Sequence, residues 1–192
     1  MTMIEKASAL RGRAIGTLVM TGFGIWWVFA AMSSISGVAL WIYIAVAIVP
    51  ATLAGFAIFR LCRLRDLPGD PSPTAEKMAR NFRIVLIAEV LVIVLAIVAL
   101  GRSGHPDFIT VAIALIVGLH FLPLAAIFRV PLYYTTGIVM TTWAIICSIF
   151  LQSLFRTISV AIGSGLILWL TSLILLLGRE KQPRGRSSEI DV

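Results

Sequence analysis

Six apolar stretches run through this 192-residue chain, and their length is what most restricts its fold. A hydrocarbon core roughly 30 Å thick is crossed by a helix of about 20 apolar residues. Runs of that kind cover residues 14–32, 38–59, 84–100, 108–128, 132–151 and 158–177. The third is the shortest and contains a glutamate, Glu89. Together the runs leave no room for a separate soluble domain. The expected fold is all-α: a polytopic bundle of six transmembrane helices arranged as three hairpins, one domain over residues 1–178. The basic stretch 179–192, with Pro, Gly, Ser and mixed charges, is expected to be a disordered tail.

Composition agrees with that expectation. The chain is 59% hydrophobic and 13% charged, against about half apolar and a quarter charged in soluble proteins. Its net charge of +7 would fit a nucleic-acid partner, but the placement of the charges argues otherwise. Fourteen of the 16 Lys and Arg residues fall at the chain termini and in alternate connections, and the other connections hold only Arg102 and Arg156. Such a bias places basic connections on the cytoplasmic side. The chain is therefore expected to be a multi-pass protein of the cytoplasmic (inner) membrane with both termini inside. Its expected partners are the lipid bilayer and the anionic headgroups of its cytoplasmic face, where each basic residue contributes about 1 kcal/mol; no nucleic acid is expected.

Lys6, Arg11 and Arg13 ahead of an apolar run could mark a signal peptide, but the run of 19 residues exceeds the usual 7–15 or so. An uncleaved first span is expected. Spans 2, 4 and 6 each end on apolar residues and an arginine (Arg60, Arg129, Arg179), a likeness too short to establish a hairpin repeat. In the connection 61–83, Asp66, Pro68, Gly69, Asp70, Pro71 and Pro73 make a turn-rich stop, and Ser72 before Pro73 reads as a helix cap with proline at the first helical position. Gly12/Gly16 and Ala47/Ala51/Gly55 are small residues four apart, which let helix backbones approach closely, within one bundle or in a homo-oligomer. Trp26, Trp27 and Trp41 at one interface and Tyr133 and Tyr134 at the other read as aromatic belts.

Two ionisable side chains lie well inside the spans. Glu89 is six residues past Arg83 and His120 nine residues before Arg129, or ~9 Å and ~13 Å in from the same face at about 1.5 Å per residue. The short connection between spans 3 and 4 makes them neighbours, so each residue is the other's expected partner. A buried ionisable group is costly in a bilayer, and its default reading is functional. Pro50 frees the carbonyl of Val46 and Pro123 that of Leu119, beside His120. Thr21, Thr52, Thr141, Thr142, Thr171 and Ser172 fall at similar depth. These groups imply a polar pocket opening toward the cytoplasm, with Glu89, His120, Pro123, Thr141, Thr142 and Pro50 as candidate binding or proton-relay residues. The opposing reading is structural: membrane threonines and serines usually bond their own backbone, and a protonated glutamate can simply tie two helices together.

Catalytic motifs are absent. There is no Gly-x-Ser-x-Gly elbow, Walker loop, His-Glu-x-x-His or Gly-x-Gly-x-x-Gly. One membrane histidine and one glutamate do not make a zinc or haem site, and Cys62 and Cys147 lie on opposite sides of the mid-plane without a metal-binding array. No cofactor is expected, and enzyme activity has no support. His105-Pro106-Asp107 reads as a solvated outer turn, and Arg102 with Arg156 as a weak anion attractor.

The stretch Gly118-Leu119-His120-Phe121-Leu122-Pro123-Leu124-Ala125, followed by Phe128-Arg129-Val130-Pro131-Leu132-Tyr133-Tyr134-Thr135-Thr136-Gly137, resembles a group of small bacterial six-span membrane proteins of unassigned function. The resemblance implies that His120, Pro123 and Pro131 belong to one element, and transfers no activity. Three functions remain: a small transporter or channel for a proton or polar solute using Glu89 and His120, a non-transporting protein that assembles with a membrane partner or senses lipid, and, last, a membrane enzyme acting on a lipid or quinone.

Overall fold

A computed structural model describes residues 3–63 and 73–178. Residues 66–72 of the expected turn-rich stretch, with the Ser72 cap, and the tail from 179 lie outside these residues. Six helices account for nearly all of the described chain: α1 (Met3–Ser33), α2 (Leu40–Arg63), α3 (Pro73–Arg102), α4 (Ile109–Phe128), α5 (Pro131–Phe150) and α6 (Ser153–Leu177), with one 3-10 turn at Pro106–Phe108. Each of the six is long and apolar enough to cross a membrane. Every apolar run corresponds to one helix, and α1 and α3 extend well beyond theirs. In α3 the charge-rich stretch 76–83 continues the helix that Pro73 opens, a position where proline's missing N–H costs nothing. Between α4 and α5 the chain turns through Arg129 and Val130 alone. Arg129 takes a left-handed conformation (φ 54) and its N–H bonds the Ala125 carbonyl, closing α4 just before Pro131 starts α5.

The helices pair within their hairpins, but the most extensive contacts run between hairpins: α1 against α6, and α4 against α5. Helix α6 also touches α5 and, less broadly, α4 and α2, which makes it the centre of the bundle. α2 packs on α1 and α6, whereas α3 packs on α4 and the neighbouring 3-10 turn. The larger core joins α1, α4, α5 and α6 around Trp27, Phe121, Met140 and Leu168; a smaller one joins α1, α2 and α6 around Val28, Leu53 and Trp169.

Both dominant interfaces are built on facing glycines. A Cβ on Gly24 would stand 3.2 Å from the Gly165 carbonyl oxygen, and one on Gly165 would stand 3.0 Å from that of Gly24. On the other side, a Cβ on Gly137 would come 2.6 Å from the Gly118 carbonyl oxygen. These crossings are not the ones expected from residue spacing. A Cβ added to Gly12 or Gly55 would meet nothing within 4 Å, and Ala51 is exposed. Small residues four apart permit close approach, but a neighbouring helix has to arrive on that face; at Gly16 it is the Tyr133 hydroxyl of α5, 2.8 Å from where a Cβ would stand, and not a helix backbone. Two indoles use glycines in another way. Trp169 Nε1 donates to the Thr21 carbonyl (3.4 Å) beside Gly24. Trp143 Nε1 donates to the Ser159 carbonyl (3.0 Å) beside Gly163.

Hydroxyl groups line the α1–α6 and α5–α6 contacts. Thr21 donates to Ser172, which donates on to the Thr17 carbonyl, and Thr136 and Thr171 meet at 2.9 Å. The aromatic pairs divide by face. Trp26 and Trp41 are exposed, as an interfacial belt requires, but Trp27 is core; likewise Tyr134 is exposed and Tyr133 buried. Adjacent residues on a helix point about 100° apart, so one of each pair turns inward.

Candidate functional site

The site begins with the seam that α3 presents to α4. Phe82, Leu86, Glu89, Ile93, Ala96 and Leu100 recur at spacings of four and three and are half-buried along that helix. Glu89 is the one charged residue in that series, at a place where the pattern calls for a hydrophobe. Facing it from α4 is His120. His120 Nδ1 lies 3.3 Å from Glu89 Oε2, and each side chain retains only 9% of its exposure. Among the described residues no other polar group bonds either one. His120 is turned to Glu89 and makes no hydrogen bond to the Leu119 carbonyl that Pro123 releases.

The remaining candidates are dispersed. A recess of about 160 Å³ is lined by Leu119, Leu122, Gly137, Ile138, Thr141 and Thr142. It lies on the α4–α5 surface and includes neither Glu89 nor His120. Pro50 is fully buried in α2, which packs on α1 and α6, and Pro123 is exposed on α4. Thr21, Thr171 and Ser172 are core groups with partners in neighbouring helices, and Thr52 bonds its own helix at the Val49 carbonyl. The structure thus brings Glu89 and His120 together and leaves Pro50, Pro123, Thr141 and Thr142 outside their contact. Depth along a helix was readable from sequence; the direction each side chain takes around its helix depends on which neighbours pack there.

A family model described as a family of unknown function, DUF7010, matches residues 75–177, more than half of the chain. The chain belongs to this family. No curated protein and no solved structure matches it. The DUF7010 region runs from the first turn of α3 to the last residue of α6. It therefore contains Glu89, His120, Pro123, Thr141 and Thr142, and leaves out Pro50 with α1 and α2. The description attaches no activity to these residues.

The DUF7010 region also contains a cluster that sequence reading missed. Arg156, near the start of α6, is 6% exposed and forms an ion pair with Asp107 of the 3-10 turn. Its guanidinium lies 3.8 Å from the centre of the Phe108 ring. Arg156 is therefore not a free cation that shares an anion with Arg102, nor is His105-Pro106-Asp107 only a solvated turn. The pair fastens the α3–α4 connection to α6 at the end of the bundle opposite Arg83 and Arg129. A signal for it existed: two opposite charges in a pair of connections otherwise poor in charge. Asp107→Asn is expected to destabilise the fold by about 2–3 kcal/mol, somewhat under the usual cost of orphaning a buried charge because the partner is partly exposed. A thermal midpoint in detergent equal to that of wild type would show that the pair contributes nothing.

Proposed function

We propose that this protein is an integral membrane protein, inserted in the inner membrane with both termini cytoplasmic, that moves a proton or a small polar solute by way of Glu89 and His120. The observation that carries the reading is the 3.3 Å contact between two ionisable side chains on separate membrane-length helices. Keeping such groups in apolar surroundings opposes insertion and stability, which favours a use for them. Insertion is supported by the surface. Exposed large hydrophobics occur on every helix, from Ile15 to Leu177, far beyond the few hundred Å² of contiguous apolar patch that soluble monomers tolerate. The orientation is supported by the basic end of the bundle, where Arg11, Arg13, Arg60, Arg63, Lys77, Arg80, Arg83 and Arg129 gather.

On that reading the pair holds a proton between two bases, a carboxylate oxygen and an imidazole nitrogen. Two groups this close exchange protons as a unit and not as separate sites. Glu89→Gln keeps the shape and removes the carboxylate. Proteoliposomes of this variant are expected to lose the proton or solute flux of wild type while the protein remains folded; undiminished flux would remove the mechanism.

A second reading rests on a different observation. α3 is held by α4 and the 3-10 turn, and the recess on the α4–α5 surface does not reach the pair. A Glu–His contact could then serve to clamp α3 in a protein that works through a membrane partner or lipid. Stoichiometric copurification of such a partner, with no flux from the isolated chain, would favour it.

A further inference from the structure

The face of α3 that turns away from α4 carries a second periodic series. Ile84, Ile87, Leu91, Val94 and Val98 recur at spacings of three and four, all of them exposed, with Ile87 at 68%. The same series continues back through Arg80 to Lys77, and Arg83 stands beside it. These three cations border a recess of about 600 Å³ with one carboxylate, Glu76, among its lining residues. None of the three pairs with an acidic group among the described residues. Their counterparts on α2 are engaged: Arg60 lies over Phe56 and Arg63 over Phe59.

We infer that this face of α3 is a seat for one anionic phospholipid, with Lys77, Arg80 and Arg83 holding the phosphate and the strip below them holding an acyl chain. The inference rests on the membrane reading above and is independent of transport. The dimensions fit. Ile84 to Val94 is ten residues, or ~15 Å at about 1.5 Å per residue, and one leaflet of a roughly 30 Å core has that depth. The helix supplies headgroup contacts and chain contacts on one continuous line, as a single lipid molecule needs.

A second copy of the chain is the competing occupant, and two features disfavour it. The strip consists of Ile, Leu and Val, without the small residues that let transmembrane helices approach closely. Two copies inserted in the same sense and related by a two-fold axis along this face would also bring Lys77, Arg80 and Arg83 against their own counterparts.

The test uses the full-length chain in nanodiscs, with retained lipid read by native mass spectrometry after release. Phosphatidylglycerol and phosphatidylcholine of identical acyl chains compete as probes. Wild type is expected to retain the anionic lipid in preference by roughly tenfold or more, given the attraction of each basic residue to an anionic surface. Lys77→Gln/Arg80→Gln/Arg83→Gln should bring the ratio close to one, and Arg60→Gln/Arg63→Gln should leave it unchanged. Equal loss in both variants would mean a diffuse charge effect and would overturn the seat, as would a preference that survives the triple change. So would displacement of the lipid by inorganic phosphate alone, or efficient crosslinking between copies through Ile87→Cys. A chain that does not enter the bilayer overturns the membrane reading as well; one that enters without preference overturns the seat alone.

Discussion

Gly137→Ala is expected to cost the bundle about 3 kcal/mol or more, at or above the upper end of ordinary overpacking. The added carbon would lie 2.6 Å from the Gly118 carbonyl oxygen and 3.1 Å from Cβ of Phe121. The first is backbone, so no rotamer change relieves it. The helices have little freedom to part, because Arg129 and Val130 alone connect them and Arg129 is already in the left-handed region. Separation at the crossing would loosen Met140 and Ala144, both fully buried. Gly165→Ala should behave similarly on the other side of the bundle, against the Gly24 carbonyl and Val28. Gly55→Ala is the control. Nothing lies within 4 Å of its new methyl, and alanine is favoured over glycine in a helix by roughly 1 kcal/mol. Thermal midpoints in detergent, with size-exclusion profiles, separate these outcomes. Equal stability of Gly137→Ala and wild type would mean that α4 and α5 do not cross where the structure has them.

The second large effect concerns the Glu89–His120 pair, and its sign depends on whether one partner or both are changed. Removing one leaves the other among Ile93, Leu86 and the α4 surface without a partner. For a pair of opposite charges that loss is about 3 kcal/mol or more; for a neutral hydrogen-bonded pair between membrane helices it is nearer 1–2 kcal/mol. The cost of His120→Ala or Glu89→Leu therefore reports which form the folded protein holds. Replacing both, as Glu89→Leu/His120→Phe, restores an apolar seam between Phe82 and Ala96 and should recover wild-type stability or exceed it. A double variant as damaged as the two singles combined would mean that the contact adds nothing and that each residue packs independently.

Sequence alone made the helices legible because membrane length is a one-dimensional property: twenty apolar residues read the same whatever packs beside them. The Glu89–His120 contact was legible for a related reason, since a short connection fixes two antiparallel helices as neighbours and counting from Arg83 and Arg129 fixes depth. What counting does not fix is rotation about each helix axis. Thr141 has a suitable depth but faces Gly118 and a surface recess, and Pro50 belongs to a helix packed on α1 and α6. The Gly24–Gly165 and Gly118–Gly137 crossings were hidden because each needs a partner more than a hundred residues, or a whole hairpin turn, away. Arg156 was misjudged for lack of the same information: its burial follows from where the 3-10 turn docks, not from its neighbours in sequence.

Proton flux through proteoliposomes of Glu89→Leu/His120→Phe, set beside wild type at matched stability and protein density, tests the central claim most directly. A folded, stable double variant that conducts nothing while wild type conducts is the expected result, because only the chemistry of the pair has been removed. Flux equal to wild type would contradict the account and leave Glu89 and His120 as a clamp between α3 and α4.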